Sequence, residues 1–315
     1  MKTRFVVITD THYNIPGSTD DFLWWNRFLV SRIEEISNSM VSTIRSLSPD
    51  FLIHCGDFTN DSKLEHFQYG LDVMKACGCP YYLTFGNHDG YLPDMRKNIA
   101  PMIGMEDGKL YYSSEMNGMR FYFLDPVYWM TDNSEIHDYL HRDVHREKGY
   151  VGGGPLQEEL TWLRDELGRY DNDPSFLITH MPIFSKSHYP VGRLHKGEPV
   201  PESPYPIHKP GTAYCLHDEE LREITHTFPH LRMVFTGHWH IHDLVSDDGV
   251  YHCQTASMIE YPLELRLMEH EGNSLTSTIV PLDNPRLAAE SVVEEWGNTW
   301  VHGTPEDREF KLGYH

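Results

Sequence analysis

Five short clusters of potential metal ligands are spread along this chain, and each one follows a hydrophobic run. The clusters are Asp10-Thr-His12, Gly56-Asp57, Gly86-Asn87-His88-Asp89, His180 and Gly237-His238-Trp-His240. They supply seven candidate ligands (two aspartates, one asparagine and four histidines), which suits two divalent ions sharing one carboxylate. Imidazole and oxygen donors suit Zn, Fe, Mn or Ni, whereas the lack of a thiolate argues against a closed structural zinc site. The residue types therefore predict a dinuclear metal centre.

Hydrophobic periodicity predicts the strands and helices that must bring these clusters together. Apolar runs at 4–9, 51–55, 81–85, 176–179 and 232–236 indicate buried strands. Apolar residues spaced three or four apart predict amphipathic helices within 22–47, 64–74, 156–167 and 221–228. Hairpins are expected around Asn117-Gly118 and between residues 241 and 281. This alternation predicts an α/β fold, a four-layer α/β/β/α sandwich of two packed mixed β-sheets flanked by helices, with the clusters beyond the strand carboxyl ends.

Two segments fall outside a minimal core. We expect one domain over residues 1–283, with a lid-like insertion at 185–215, and a C-terminal extension over 284–315. The insertion holds six prolines, and its four lysines and arginines outnumber its two glutamates. This surplus of cations favours either phosphate recognition or ordinary solvated loop charges. The extension is expected either to dock on the domain or to make a subunit contact, as in a homo-oligomer.

Composition and charge limit the classes of partner. The chain has 315 residues, 39% of them hydrophobic, and no apolar run approaches the length of a membrane span, so no membrane is expected. Met1 leads directly into a strand rather than a signal peptide, and the five scattered cysteines fit reduced thiols, so a cytoplasmic location is expected. The net charge of −21 argues against nucleic acid but not against a small anionic substrate, because bound metal ions dominate the local field.

The order of the five clusters resembles the calcineurin-like metallophosphoesterase superfamily, over residues 4–243. The resemblance implies two divalent or trivalent metal ions, Fe, Mn or Zn, bridged by Asp57. The other ligands that it implies are Asp10, His12 and His240 for the first ion, and Asn87, His180 and His238 for the second. A bridging carboxylate keeps such ions about 3.5–4 Å apart, and a water bound between them becomes hydroxide near neutral pH. The implied chemistry is therefore attack of that hydroxide on a phosphate ester.

The last two residues of the third cluster are implied to assist this reaction. By the resemblance, His88 stabilises the transition state or protonates the leaving alkoxide, and an imidazole with a pKa of roughly 6.5 suits that task. Asp89 is expected to orient an imidazole. Gly56, Gly86 and Gly237 are expected to allow sharp turns that bring the backbone close to the metals.

Two longer segments indicate a branch of the superfamily. The residues Pro49–Asp57 and the glycine-rich segment 152–163 are most similar to class III cyclic-nucleotide phosphodiesterases and glycerophosphodiesterases. This similarity implies hydrolysis of a small phosphodiester, with a phosphomonoesterase or a nucleotide pyrophosphatase as the alternatives. A DNA nuclease would need a basic groove, which the net charge of −21 disfavours. A non-catalytic scaffold usually loses ligands or the catalytic histidine, and this chain keeps them all.

Overall fold

The centre of the molecule is a pair of six-stranded mixed β-sheets. The computed structural model of the chain describes residues 2–17, 29–105, 108–131, 134–139, 150–171, 173–184, 194–195, 198–199, 215–292 and 301–313. Across the first sheet the strands follow the order β17 (Phe310–Gly313), β16 (Ser274–Pro281), β15 (Glu264–Glu271), β1 (Lys2–Ile8), β2 (Phe51–Cys55) and β3 (Tyr81–Thr84). Strands β1, β2 and β3 are parallel, so their carboxyl ends reach the same edge of the sheet.

The second sheet repeats this arrangement. Its strands follow the order β13 (Asp243–Asp247), β14 (Val250–Gln254), β12 (Leu231–Thr236), β9 (Ser175–Ile178), β5 (Met119–Phe123) and β4 (Tyr112–Met116). Strands β14, β12, β9 and β5 are parallel. The hairpin of β4 and β5 turns at Asn117 and Gly118, whose φ angles of 55° and 78° are those that a tight two-residue turn requires. The predicted hairpin is thereby confirmed.

A small sheet, which the sequence did not predict, lies beside the second one. It consists of β6 (Tyr128–Thr131), β7 (Ile136–His137) and β8 (Tyr150–Gly154). Within the predicted insertion at 185–215, the described residues are the paired strands β10 (Leu194–His195) and β11 (Glu198–Pro199), with Cys215 at its end, and the remainder lies outside the described chain. Cys215 N donates to Pro182 O (3.1 Å), and Leu216 N donates to Gly153 O (2.7 Å). The two ends of the insertion are therefore joined to each other and to β8.

Helices cover the outer face of each large sheet. The described helices are α1 (Ile33–Leu47), α2 (Leu64–Ala76), α3 (Met95–Ile99), α4 (Gln157–Arg169), α5 (Asp218–Thr227), α6 (Pro285–Glu290) and α7 (Pro305–Arg308). Helices α1 and α2 cover the first sheet, α4 and α5 cover the second, and α7 contacts β13 and β16. Short 3₁₀ turns occupy Val30–Arg32, Asn87–Gly90 and Ala100–Ile103. The helix predicted over 22–47 is helical from residue 33 onward, and residues 22–28 fall outside the described chain. Among the described helices, none has both the length and the apolar character needed to cross a membrane.

Three apolar layers hold the sheets and helices together. Aromatic rings fill the layer between the two sheets, with centroid distances of 4.9–6.2 Å among Phe5, Phe51, Phe121, Phe176 and Phe235. A second layer lies between the first sheet and α1 and α2, and a third lies between the second sheet and α4 and α5. The central strands contribute alternate residues to two layers, since side chains on a strand point to opposite faces in turn. The predicted four-layer α/β/β/α sandwich is confirmed.

The described part of the C-terminal extension docks on the first sheet. Strand β17 pairs antiparallel with β16, from Ser277 opposite Phe310 to Ser274 opposite Gly313. This is one of the two arrangements that the sequence left open for residues 284–315. The domain boundary at residue 283 remains a prediction.

Candidate dinuclear metal centre

The seven predicted ligands meet where the carboxyl ends of the parallel strands of both sheets come together. Four lie in loops after β1, β2 and β3, and three lie in loops after β9 and β12. Side-chain donor atoms lie within 4.8 Å of one another in two groups, namely Asp10, His12, Asp57 and His240, and Asp57, His180 and His238. Asn87 joins the second group through its amide oxygen. The structure therefore brings all seven together, as two clusters with Asp57 in common.

In the first cluster, buried carboxylates face imidazole nitrogens. Asp10 Oδ1 lies 3.1 Å from His240 Nε2 and 4.0 Å from His12 Nε2. His12 Nε2 lies 3.7 Å from Asp57 Oδ2. Asp10 and His12 have no exposed surface, and His240 keeps 6%. These separations suit donors arranged around one ion with bonds of roughly 2.0–2.2 Å.

The second cluster combines imidazoles with an amide oxygen. His180 Nε2 lies 3.3 Å from Asp57 Oδ1 and 3.2 Å from Asn87 Oδ1. The ring centroids of His180 and His238 are 5.0 Å apart. One carboxylate oxygen of Asp57 thus faces each cluster. Asp57 has the geometry expected of a bridge.

Unusual backbone conformations present these ligands. Five of the seven have a positive φ, between 44° and 70°, namely Asp10, His12, Asp57, His238 and His240. Such left-handed conformations are costly for residues with a side chain and persist where surrounding contacts over-determine them. A Cβ added at Gly237 would lie 2.5 Å from Asp10 Oδ2, and one at Gly86 would lie 2.8 Å from Asp57 Cγ. Only glycine permits these approaches, as the sequence predicted.

Hydrogen bonds to the far ring nitrogen orient two of the histidines. His180 Nδ1 donates to the carbonyl oxygen of Cys55 (2.9 Å). His240 Nδ1 donates to Glu260 Oε1, and Glu260 has no exposed surface. In both rings Nε2 is the nitrogen that faces the cluster, where it can bind a metal ion that displaces its proton.

Sequence reasoning missed two buried residues beside the centre. Glu260 lies in the turn between β14 and β15, and no motif marks it. His54, in β2, bonds through Nε2 to the Thr11 hydroxyl (2.9 Å) and accepts at Nδ1 from Gly56 N (3.2 Å). Burial lowers the pKa of His54 to about 3, so this ring is neutral and ties the loop after β1 to the loop after β2. The one signal for His54 was a polar residue inside an otherwise apolar strand.

The electrostatics of the centre favour bound positive charge. Burial opposes ionisation of Asp10, but His240 and His180 outweigh it and lower its pKa to about 2. Burial opposes protonation of His240, yet Asp10 and Glu260 raise its pKa to about 10. Burial also opposes protonation of His180, and Asp57 overcomes it and raises the pKa to about 9. Metal ions would compete with protons for these nitrogens.

The donors present fit a pair of metal ions. Asp10 Oδ1 is buried and accepts no well-oriented hydrogen bond from the described chain, although it faces imidazole Nε2 atoms on three sides. A buried carboxylate oxygen in that state is unfavourable unless a cation satisfies it. Nitrogen and oxygen donors without thiolate suit Zn, Fe or Mn.

His88 lies at the open side of the first cluster. Its Nδ1 donates to Asn60 O (2.8 Å), and its Nε2 lies 4.0 Å from Asp57 Oδ2. The ring stands edge-on to that of His12, with centroids 4.5 Å apart. The side chain is 17% exposed, so a ligand arriving from solvent can reach it.

Asp89 does not make the predicted contact with an imidazole of the described chain. Its carboxylate accepts hydrogen bonds from the backbone N–H groups of Phe58, Thr59 and Gly86, at 2.7–2.9 Å. The 3₁₀ turn at Asn87–Gly90 directs Asp89 toward the loop after β2, whose buried N–H groups need acceptors. The expectation is corrected accordingly: Asp89 braces two ligand loops against each other.

The layered fold and the paired donor clusters define a metallophosphoesterase type of protein. A family model described as calcineurin-like phosphoesterase matches residues 3–242, and the chain belongs to this family. The matched range contains every predicted ligand, from Asp10 to His240, and confirms the resemblance inferred from the order of the clusters.

Individual relatives are distant. The chain is 22% identical over 201 residues to glycerophosphodiester phosphodiesterase GpdQ of Enterobacter lignolyticus. The aligned region covers 61% of this chain and 56% of that protein. It is 23% identical over 133 residues to a probable cyclic nucleotide phosphodiesterase of Fibrobacter succinogenes. That aligned region covers 42% of this chain and 42% of the other protein. The chain thus spans about half the length of the curated relatives that it matches. Among solved structures, a dimetal phosphatase from Danio rerio shares the fold, with a TM-score of 0.61 and 15% identity over 88% of this chain and 95% of that one.

Proposed function

We propose that this protein hydrolyses a small phosphodiester, of the glycerophosphodiester or cyclic-nucleotide class, with the help of two metal ions. The observation that carries the proposal is the pair of donor clusters that share Asp57. Family membership supports phosphoester chemistry, and the names of two relatives support a diester substrate.

Each ion would have its own set of protein ligands. Asp57 would hold both ions, with Asp10, His12 and His240 on the first and Asn87, His180 and His238 on the second. When bound, such ions supply Lewis-acid charge that activates an attacking water and neutralises charge on the phosphoryl oxygens. The fixed rings of His180 and His240 reduce the reorganisation needed before reaction, because their Nε2 atoms already face the centre.

His88 would protonate the leaving oxygen. The Asn60 carbonyl can only accept, so it holds the N–H at Nδ1 and fixes the ring. In the imidazolium form Nε2 carries the second proton, and it points toward the centre beside Asp57. A positioned acid of this kind contributes about 10²–10⁴-fold to a rate.

Metal dependence and substrate class are tested in one experiment. Protein stripped by a chelator is assayed with bis-p-nitrophenyl phosphate, p-nitrophenyl phosphate, cyclic AMP and glycerophosphodiesters, with and without added Mn²⁺. We expect activity only with Mn²⁺ and a higher kcat/KM for diesters. Undiminished activity in protein that mass spectrometry shows to be free of metal would overturn the metal-dependent reaction. Preference for p-nitrophenyl phosphate would instead favour the phosphomonoesterase alternative.

The role of His88 is tested in the same assay. His88→Ala should lower kcat by about 10²–10⁴-fold while two ions remain bound, because His88 acts on the substrate rather than on the metals. His226→Ala, which changes a partly exposed histidine paired with Asp247, serves as the control and should leave kcat unchanged. Equal kcat for His88→Ala and the unaltered protein would remove His88 from the reaction.

A further inference from the structure

The C-terminal segment 301–308 lies against the chain directly after the ligand His240. His242 N donates to Val301 O (3.0 Å), and Leu244 N donates to Asp307 Oδ1 (3.0 Å). Asp307 has no exposed surface. These bonds hold the chain at the second and fourth positions after His240, so a shift of the segment would be passed to the ligand.

Gly303 allows the segment to approach this closely. Its φ is 74°, and an added Cβ would lie 2.5 Å from His242 O and 3.1 Å from His242 Cβ. A side chain at this position would both strain the backbone and push the segment away from His242.

Charged side chains on β15 also stabilise the contact between the segment 301–308 and His242. Arg308 binds Glu264 through both of its terminal nitrogens, at 2.5 and 2.8 Å. Glu264 Oε2 lies 3.3 Å from His242 Nε2. Arg266, which has no exposed surface, donates to Asp307 O (2.9 Å) and lies 3.3 Å from His242 Nδ1. His242 is thus held by hydrogen bonds at Nδ1 and at its backbone N–H, with the Glu264 carboxylate beside Nε2.

We propose that residues 301–308 form a clamp that positions His240, and through it the first half of the metal centre. This inference rests on the proposed function, because it concerns binding of the first ion. The clamp lies beyond residue 242, where the family match ends, so it is supplied by a part of the chain outside that match. Its residues touch no metal and no substrate, and they act through the loop that carries the ligand.

The test measures metal binding rather than turnover. Arg308→Gln removes the bidentate ion pair with Glu264, and Gly303→Ala leaves every charge in place but forces the segment away from His242. Calorimetric titration of stripped, folded protein with Mn²⁺ should show one of the two binding steps weakened about 10-fold in both variants, with the other step unchanged. Arg308→Lys, which keeps the charge, should recover part of the loss.

The matched control is Arg32→Gln. It breaks another arginine–glutamate pair between the preceding domain and the C-terminal extension, in which Nη1 of Arg32 donates to both carboxylate oxygens of Glu290 at 2.7 Å. The control should bind Mn²⁺ as the unaltered protein does. Unaltered affinity in both clamp variants, or an equal loss in Arg32→Gln, would overturn the clamp. Failure of the unaltered protein to bind Mn²⁺ at all would overturn the proposed function instead.

Discussion

The two halves of the candidate metal centre share Asp57 but differ in charge and in enclosure. The first half contains the carboxylate of Asp10. Its ligand His240 donates a hydrogen bond from Nδ1 to the carboxylate of Glu260. The second half contains the neutral amide of Asn87 instead. Its ligand His180 donates from Nδ1 to the backbone carbonyl of Cys55. The four ligand side chains of the first half are all buried, whereas Asn87 in the second half is partly exposed.

This difference indicates unequal affinities for the two ions. Two more carboxylates close to the first position increase its attraction for a divalent cation, and the closed surroundings weaken screening by water. We expect the first half to retain its ion and the second to exchange its ion more readily. We expect substrate oxygens to approach from the side on which Asn87 and His88 are partly exposed.

The largest effect is expected at the residue that the halves share. Asp57→Asn keeps the shape of the side chain and its acceptor for the His88 N–H, but it removes the charge that serves both clusters. We expect affinity for both ions to fall by at least about 10²-fold, and activity to fall with it. Metal content by mass spectrometry after gel filtration measures this. Two retained ions would show that Asp57 is not a bridge.

A smaller and one-sided effect is expected at Glu260. Glu260→Gln keeps an acceptor for His240 Nδ1 but removes the negative charge. Affinity for the tighter ion should fall about 10–100-fold while the weaker step is unaffected. Glu271→Gln, at an exposed position on β15, is the control. Calorimetric titration with Mn²⁺ separates the two binding steps. A change confined to the weaker step would show that the first half binds the weaker ion, contrary to the expected order of affinities.

The smallest effect is expected at Tyr91. Asn87 Nδ2 donates to the Tyr91 hydroxyl (3.4 Å), which directs Oδ1 toward His180. Tyr91→Phe removes this restraint, and loss of one such bond corresponds to about 0.5–1.5 kcal/mol, or about 2–10-fold in affinity for the weaker ion. Tyr69→Phe, on α2, serves as the control and should leave both steps unchanged. Weakening of the tighter step alone would show that Tyr91 acts on the first half and not on the second.

The four layers and the candidate ligands could be predicted from the sequence because both depend on residues close together in the chain, namely apolar periodicity and the short clusters that follow apolar runs. The strand ending at Cys55 and the helix containing Met40 show their periodicity within a few residues. Ligands that follow parallel strands must meet at one edge. The direction of a side chain within a turn is not local in this sense, and so Asp89 was given an imidazole partner when backbone N–H groups take its oxygens.

Residues that act over long sequence distances could not be found in this way. Glu260 lies 20 positions from His240 in a turn without a motif. The pairing of β17 with β16 joins short segments about thirty residues apart, and four residues are too few to give a periodic signal. The small sheet likewise depends on the pairing of β6 with β8, which are separated along the chain by β7 and the residues after it.

The hydrogen bond from Cys215 N to Pro182 O joins the two ends of the predicted insertion at one point on the scaffold. A segment that leaves and re-enters at the same place can change in length at little entropic cost, about 0.6 kcal/mol for each doubling. Whatever this segment contributes to the choice of substrate can therefore diverge, or be exchanged by grafting, while the ligands of the metal centre keep their geometry.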